Sequence, residues 1–365
     1  MKYDITDILS FSFITAFLIC FFAIPAIIKA AKAKNLYDEP GIRNSHSEKV
    51  PRLGGLAIFA AMVSSITFWT DFTICPHLQF IIAAMTVMTL IGINDDVVGL
   101  SPFRKTVGMV FASMIIVIWG NIRITEMYGI FGVQVLPEII SILFTILTLI
   151  VIINAFNMVD GINGLAASMG IISALIFGIW FYLVKDYQHA IISFSLVAAL
   201  LAFLRYNVTP AKIFMGDTGS LLIGLLIAVL AVEFIKANGY YTGNPEIKST
   251  PYFIKSAPAV AIGIIFIPLF DLVRVFIFRI LRKRSPFRPD KTHMHHILLK
   301  FGNSHMMATA ILSFFSVIFI VLSFALNFLG NYILGAILIG ASLILTYIPY
   351  YFLRRNKNSG NGNNS

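Results

Sequence analysis

The sequence predicts an all-α protein, a polytopic bundle of about eleven membrane-spanning helices with its N-terminus outside and its C-terminus in the cytoplasm. The chain has 365 residues, of which 58% are hydrophobic and 12% charged, and its mean hydropathy is +0.87. Soluble domains carry about 25% charged residues, so the composition excludes an ordinary globular domain. The apolar runs are also long, and about 20 apolar residues are enough to span a bilayer.

Eleven apolar runs are candidate spans. They cover 8–28, 54–71, 78–93, 107–122, 138–153, 164–184, 189–204, 219–235, 258–280, 308–327 and 332–352. The first run is too long for a signal peptide and no A-x-A-like cleavage site follows it, so we interpret it as a true span. We therefore predict one integral-membrane domain over 1–353. The Asn/Gly/Ser-rich segment 354–365 is predicted to be a disordered cytoplasmic tail.

Lys and Arg residues predict the orientation of the bundle. Of the 27 basic residues, 20 fall in the segments 29–53, 94–106, 154–163, 205–218, 279–307 and 353–365, and six fall on the other side. Cytoplasmic loops carry the Lys/Arg excess, so these segments are predicted to be cytoplasmic. The net charge of +10 suits anionic lipid head groups and phosphorylated substrates. It does not indicate nucleic acid, because no soluble basic domain is present.

Four aspartates interrupt the apolar pattern on the predicted cytoplasmic side. They are Asp95 and Asp96 in INDDVVGL, Asp160 in NAFNMVDGING and Asp217 in FMGDTGS. Ionised groups at membrane depth are costly unless they are paired or hydrated, so we expect one shared polar site. Carboxylate and amide oxygens beside cations fit Mg²⁺ and phosphate chemistry. Plainer explanations exist for each motif: a solvated loop for the Asp pair, a turn for the Asn and Gly residues, and a helix N-cap for Asp217.

Two further cytoplasmic segments carry basic residues and histidines. In the first, Lys49 and Arg52 can face phosphates, and the glycine pair of PRLGG can bring backbone N–H groups to an anion. A loop that only follows the positive-inside rule explains this segment equally well. In the second, THMHH follows Arg288. We favour phosphate or sugar contacts there over a zinc site, because H-x-H-H alone lacks the further ligands that zinc needs.

Four residues outside these segments complete the observations. Cys20 lies in a predicted span and Cys75 in an outer loop, so we predict neither a disulfide framework nor a metal cluster from them. Asp271 and Arg274 lie three residues apart on the ninth predicted span, and we expect them to pair with each other.

Five motifs in order resemble those of the polyprenyl-phosphate N-acetylhexosamine-1-phosphate transferases. They are PRLGG, DDVVGLSPFRK, NAFNMVDGINGL, RYNVTPAKIFMGDTGS and RPDKTHMHH, and the resemblance covers about residues 10–350. The chain looks most like the bacterial enzymes that begin O-antigen, common-antigen or teichoic-acid linkage synthesis on undecaprenyl phosphate. The muramoyl-pentapeptide branch of the family typically has a run of three histidines. This chain has THMHH instead, which favours a UDP-N-acetylhexosamine donor.

The resemblance also implies roles for individual residues. It indicates Asp95, Asp96, Lys105, Asp160, His293 and His295 as catalytic residues, Asn163, Asn207, Phe214, Arg288, Lys49 and Arg52 as substrate-binding residues, and Asp217 and Asn157 as metal ligands. Lys105 would bind phosphate, Asp95 would act as a base or at the lipid phosphate, and Phe214 would stack on uracil. Asn163 stands where many bacterial relatives have Asp, which excludes a catalytic carboxylate at this position.

The implied reaction transfers N-acetylhexosamine-1-phosphate, with GlcNAc as the favoured sugar, from a UDP-sugar to undecaprenyl phosphate. UMP is released, and the lipid-linked product starts a cell-surface polysaccharide. Mg²⁺, with Mn²⁺ as a substitute, is the implied cofactor, and a homodimer is a further expectation. The site would face the cytoplasm from the bacterial inner membrane. The sequence is compatible with direct displacement and with a phospho-aspartate intermediate.

Two alternatives to this function are kept open. One is the phospho-N-acetylmuramoyl-pentapeptide transferase of peptidoglycan synthesis. The other is a secondary transporter, which would place acidic groups near the bilayer midplane and open to both faces.

Overall fold

The computed structural model describes residues 4–34, 50–283 and 293–344, and within these ranges the regular elements are helices. Among the described residues one isolated β-bridge, between Glu126 and Val135, joins two extended segments of one loop. In chain order the helices are α1 (Ile5–Ala33), α2 (Gly54–Trp69), α3 (Leu78–Val98), α4 (Pro102–Met114, continued by a π-helical turn over Ile115–Trp119), α5 (Glu138–Val159), α6 (Leu165–Leu183), α7 (Tyr187–Asn207), α8 (Gly216–Ala237), α9 (Pro245–Lys248), α10 (Ala257–Ile264), α11 (Phe266–Leu281), α12 (Met294–Lys300), α13 (His305–Ala325) and α14 (Asn331–Ile344). The predicted all-α fold class is confirmed.

The chain is a multi-pass membrane protein. Eight helices in the described ranges are long and apolar enough to cross a membrane, or up to nine if the bent pair α10 and α11 counts as one span. Helices α2 and α14 are apolar but shorter. Each of the eleven predicted spans overlaps one of these helices or the bent pair, and the end of the last predicted span, 345–352, lies outside the described residues. The count of eleven and the orientation of the termini stay predictions. The tail at 354–365 lies outside the described residues.

Helix α8 is the centre of the bundle. Every residue from Thr218 to Ile235 is buried, and α8 packs against α2, α3, α5 and α6. A helix that is apolar on all sides needs neighbours on all sides, which explains this position. Helix α1, by contrast, has Phe11 and Phe22 exposed on its surface, as lipid-facing helices do.

Glycines let α2 and α3 approach the beginning of α8 at backbone distance. A Cβ atom added at Gly55 would lie 2.1 Å from the backbone N of Gly219, and one added at Gly92 would lie 2.3 Å from the Cα of Thr218. Small residues at helix interfaces permit this kind of close packing. The starts of α2 and α8 and the last turns of α3 are therefore joined closely.

The glycine pair of PRLGG has a structural role in this packing. The N–H groups of Gly54 and Gly55 donate to the carbonyl oxygens of Phe214 and Met215, each at 3.0 Å. The prediction that these N–H groups approach an anion is therefore wrong, because the backbone before α8 already occupies them.

Helices α3 and α5 extend beyond their predicted spans. They end at Val98 and Val159, whereas the apolar runs end at 93 and 153. The runs stop at the first polar residues, but the backbone hydrogen bonds of the helices continue through them. Asp95 and Asp96 consequently lie on the last helical turns of α3, not in a loop.

The segment predicted as one span over 258–280 is two helices, α10 and α11, with an 85° bend between them. Pro268 accounts for the break, because proline lacks an N–H group and its ring clashes with the carbonyl four residues earlier. That carbonyl belongs to Ile264, the last residue of α10.

Candidate active site

Helix ends meet at one end of the bundle and bring the polar motifs together. Asp95 lies near the end of α3, Lys105 in the first turn of α4 and Asn157 in the last turn of α5, while Asp217 is the second residue of α8. Asp160 follows α5 directly as its C-cap residue. Residues far apart in the sequence thus face one another. Asp96 and Thr218, for example, are 122 positions apart and are joined by a hydrogen bond.

Lys105 lies at the centre of this cluster. Its Nζ is 3.0 Å from Asp95 Oδ2 and 3.1 Å from Asn157 Oδ1, and it also donates to Asp217 Oδ2. Asn157 in turn donates from Nδ2 to Asp217 Oδ1 at 2.7 Å and to Ser220 Oγ at 2.9 Å. Two carboxylates and an amide oxygen therefore surround one ammonium group. Such oxygen donors are also the ligands that Mg²⁺ uses.

The two acids of the Asp pair make different contacts. Asp95 Oδ1 accepts a hydrogen bond from the N–H of Leu100 at 2.7 Å. Asp96 accepts from the N–H of Asp217 at 2.8 Å, and from the N–H and hydroxyl of Thr218 at 2.9 and 2.6 Å. Asp96 thus caps the first turn of α8, and the capping role considered for Asp217 belongs to Asp96. A catalytic role for Asp96 stays a prediction, and its contacts indicate that it positions Asp217.

Asp160 is a further carboxyl group of the cluster. Burial, together with the charges of Asp217 and Asp96, raises the pKa of Asp160 to about 8, and the charge of Arg52 opposes this shift. Carboxylates that crowd one site repel each other and favour a proton or a cation. The acids of this site therefore favour additional positive charge from a ligand.

Asn163 and Asn207, both predicted to bind uridine, connect two loops of the protein. Asn163 Nδ2 donates to Thr209 Oγ1 at 3.0 Å. Asn207 accepts at Oδ1 from the N–H of Gly164 at 2.7 Å and donates from Nδ2 to the carbonyl of Ile213 at 2.9 Å. These buried amides hold the loop after α5 against the loop after α7. Their contact with a nucleotide stays a prediction.

The predicted pair of Asp271 and Arg274 is confirmed and includes a third partner. Arg274 donates to Asp271 Oδ1 at 2.8 Å, and His293 Nδ1 lies 2.8 Å from Asp271 Oδ2. The N–H of Met294 also donates to Asp271 Oδ1, at 2.9 Å. Asp271 therefore orients His293 and fixes the start of α12. Sequence reasoning missed this role, although a carboxylate in an apolar span was a signal for it.

His295 connects the histidine segment to the acidic cluster. Its ring lies against Gly161, where an added Cβ would be 2.3 Å from His295 Nε2. Burial and the neighbouring His296 lower the pKa of His295 to about 3, so the ring is neutral at physiological pH. A neutral imidazole can donate from one nitrogen and accept at the other.

The structure describes two of the four remaining predicted site residues. Arg52 is exposed, and its charge acts on Asp96 and Asp160, which places it at the edge of the cluster. Phe214 lies just before α8 and is partly buried, and its N–H donates to the carbonyl of Pro51 at 2.8 Å. Lys49 and Arg288 lie outside the described residues.

Comparison with known proteins agrees with the family that the motifs resemble. A profile described as Glycosyl transferase family 4 matches residues 78–235. Decaprenyl-phosphate N-acetylglucosaminephosphotransferase of Mycobacterium leprae (strain TN) is 32% identical over 94% of this chain and 90% of its own length. Undecaprenyl-phosphate alpha-N-acetylglucosaminyl 1-phosphate transferase of Escherichia coli (strain K12) is 30% identical over 84% of this chain and 80% of its own length.

Proposed function

The chain belongs to glycosyl transferase family 4, and from this membership and its site we propose that it transfers N-acetylglucosamine-1-phosphate from a UDP-sugar to undecaprenyl phosphate. The observation that carries the proposal is the cluster around Lys105, where an ammonium group and several carboxylates meet at the end of a membrane bundle. The relatives named above act, by their names, on decaprenyl or undecaprenyl phosphate. A lipid substrate explains why an enzyme of soluble sugar nucleotides is a multi-pass membrane protein.

The proposed reaction is a phosphoryl transfer. A phosphate oxygen of the lipid forms a bond to the β-phosphorus of the UDP-sugar. The bond from that phosphorus to the oxygen bridging the α-phosphate breaks, and UMP leaves with the bonding electrons. Positioning and charge stabilisation account for most of the catalysis in such reactions. Lys105 can neutralise phosphate oxygens, and Asp95, 3.0 Å from the Lys105 ammonium group, can act as a base toward the lipid phosphate.

We propose Mg²⁺, with Mn²⁺ as a substitute, as the cofactor. Asp217 and Asn157 would hold it, since they offer a carboxylate and an amide oxygen beside each other. When bound, the ion would offset the negative charge of the diphosphate. Lys105, which contacts Asp217 in this structure, would then turn toward the phosphates.

We place the site on the cytoplasmic face of the bacterial inner membrane, because most Lys and Arg residues lie in the segments that carry its motifs. The secondary-transporter alternative fits poorly, since the acids cluster at helix ends on one side of the bundle. The muramoyl-pentapeptide alternative differs in the donor and can be tested directly. We also propose that the protein forms a homodimer, which a measurement of its oligomeric state can test.

The test uses purified protein in lipid nanodiscs with undecaprenyl phosphate and a panel of donors. UDP-GlcNAc should release UMP and give a lipid-diphosphate sugar, and both should require the lipid. Asp217→Asn should lower transfer about 10²- to 10³-fold, the usual loss for a group that stabilises transition-state charge. Asp7→Asn, an exposed acid in the first turn of α1, is the matched control and should remain active.

Two results would overturn the proposal. UMP release from UDP-MurNAc-pentapeptide but not from UDP-GlcNAc would assign the chain to the pentapeptide branch. No UMP from any donor, in protein that is folded and loaded with Mg²⁺, would exclude the transfer reaction itself.

A further inference from the structure

A second cluster of reactive side chains lies at the other end of the bundle. Cys75 Sγ is 3.0 Å from His77 Nε2, and His77 Nε2 is 3.3 Å from His189 Nε2. A ligand atom from each of these residues lies within 4.8 Å of the others. Cys75 and His189 are buried, and His77 is partly buried.

The position of this cluster separates it from the transferase site. His77 immediately precedes α3, and α3 is 21 residues long and carries Asp95 near its other end. With a rise of about 1.5 Å per residue, α3 is about 30 Å long, which is the thickness of the hydrocarbon core. His189 lies in the first turn of α7, which likewise ends at Asn207 beside the acidic cluster. The two clusters are therefore on opposite faces of the membrane.

Asp186 orients His189 for binding through Nε2. Asp186 Oδ2 lies 2.7 Å from His189 Nδ1, and Asp186 also caps α7 by accepting from the N–H of His189 at 3.3 Å. In a neutral imidazole whose Nδ1–H donates to a carboxylate, Nε2 carries the free lone pair. This carboxylate–histidine arrangement is typical of the residues behind histidine ligands of metals.

We propose that Cys75, His77 and His189 bind one Zn²⁺ ion, with water in the fourth position. One thiolate and two imidazoles suit zinc, which prefers four tetrahedral ligands. With zinc–nitrogen distances of about 2.0–2.1 Å, two nitrogens of a tetrahedral site are about 3.3 Å apart, which is the separation of the two Nε2 atoms. The sulfur–nitrogen separation in such a site is about 3.6 Å, so Cys75 Sγ has to move by about half an ångström.

Asp186, the carboxylate behind His189, also lines a cavity of about 550 Å³ together with Glu233, Lys185 and Lys236. Glu233 is paired with Lys236 there, at 3.2 Å. Binding of zinc would release the proton of the Cys75 thiol to solvent and form a sulfur–zinc bond.

The structural consequence would be a crosslink between the segment before α3 and the start of α7. The competing explanation is a chain of neutral hydrogen bonds from Cys75 through the two histidines to Asp186. Such a chain needs no metal and tolerates a serine hydroxyl in place of the thiol. Zinc requires the thiolate for tight binding, so the two explanations predict different results for Cys75→Ser.

The test measures metal binding by the full-length protein in nanodiscs after treatment with a chelator. Co²⁺ titration should give a thiolate-to-metal charge-transfer band, and Zn²⁺ should displace one equivalent of Co²⁺ per chain. Cys75→Ser should abolish the band and weaken zinc binding at least 100-fold, whereas Cys20→Ser should keep both. Asp186→Asn should weaken zinc binding about 10- to 100-fold, as expected for a residue that orients a ligand.

Wild-type protein without the charge-transfer band, or with no tighter zinc binding than Cys75→Ser, would overturn the proposal. His77→Gln provides a second variant if Cys75→Ser does not fold, because the His77 side chain makes no capping bond to α3. Transfer assays on the same samples keep this result separate from the proposed transferase function. Cys75→Ser should retain transfer whether or not zinc binds.

Discussion

We expect Lys105 to compete with the proposed metal ion for Asp217, so its removal should strengthen metal binding and weaken catalysis. In this structure the Lys105 ammonium contacts Asp95, Asp217 and the Asn157 amide oxygen. A divalent cation bound by Asp217 and Asn157 has to displace that ammonium group. Lys105→Met keeps the length of the side chain and removes only its charge and hydrogen bonds.

The expected size of the effect follows from the contact geometry. At 3.0 Å and an effective dielectric constant of about 20, a pair of unit charges attracts by about 5–6 kcal/mol. Desolvation of the ammonium group offsets much of this, and hydrogen bonds to charged groups contribute about 1.5–3 kcal/mol net. Since about 1.4 kcal/mol corresponds to a factor of ten, Lys105→Met should tighten Mn²⁺ binding about 10- to 100-fold. Transfer should fall about 10²- to 10³-fold, because phosphate charge is no longer neutralised.

Electron paramagnetic resonance of free Mn²⁺ measures the affinity in the absence of substrates, and UMP release measures transfer. Arg104→Met is the matched control, because it removes the same charge from the adjacent exposed residue. It should leave Mn²⁺ affinity nearly unchanged. Weaker Mn²⁺ binding in Lys105→Met, or the same change in both variants, would refute the assignment of the metal to Asp217.

Three further predictions concern the acids and the topology. Asp96→Ala should lower stability by about 0.5–2 kcal/mol, the usual cost of losing a capping side chain, and should also slow transfer. Asp4→Ala, which removes the N-cap of α1, should lower stability alone; thermal unfolding measures stability and UMP release measures transfer. Asp95→Asn should reduce turnover far more than UDP-sugar affinity, and calorimetry showing the opposite pattern would move Asp95 to the donor side. Lys300→Cys, in a variant without the native cysteines, should react with a membrane-impermeant thiol reagent only after cells are permeabilised. Labelling in intact cells would reverse the proposed orientation.

The sequence predicted the helical bundle and the meeting of its acids for one physical reason. Apolar segments exclude charge, so the few carboxylates in them mark positions that the fold has to bring together. The pattern therefore predicts that Asp95, Asp160 and Asp217 share a site, and the structure brings them together. Helix ends were less predictable, because hydrogen bonding continues through polar residues such as Asp95 and Asp96.

Contacts that depend on backbone geometry were not predictable. Asp95 and Asp96 are adjacent and chemically identical, yet one faces Lys105 and the other caps α8. Nothing in the sequence indicates which carbonyl groups accept hydrogen bonds from the N–H groups of Gly54 and Gly55.

Sequence reasoning missed the cluster of Cys75, His77 and His189 for a different reason. Its histidine neighbours His77 and His189 are 112 positions apart, and the prediction considered only the two cysteines. A Cys-x-His at the start of one span and a histidine at the start of another, on the same predicted side, was the available signal.

The close backbone contact between α2, α3 and α8 also limits how the enzyme can open. No side chain separates Gly92 from Thr218, so the ends of α3 and α8 that carry Asp96 and Asp217 cannot slide past one another without breaking that contact. Any gate for the lipid phosphate or for departing UMP has to lie on another wall of the site.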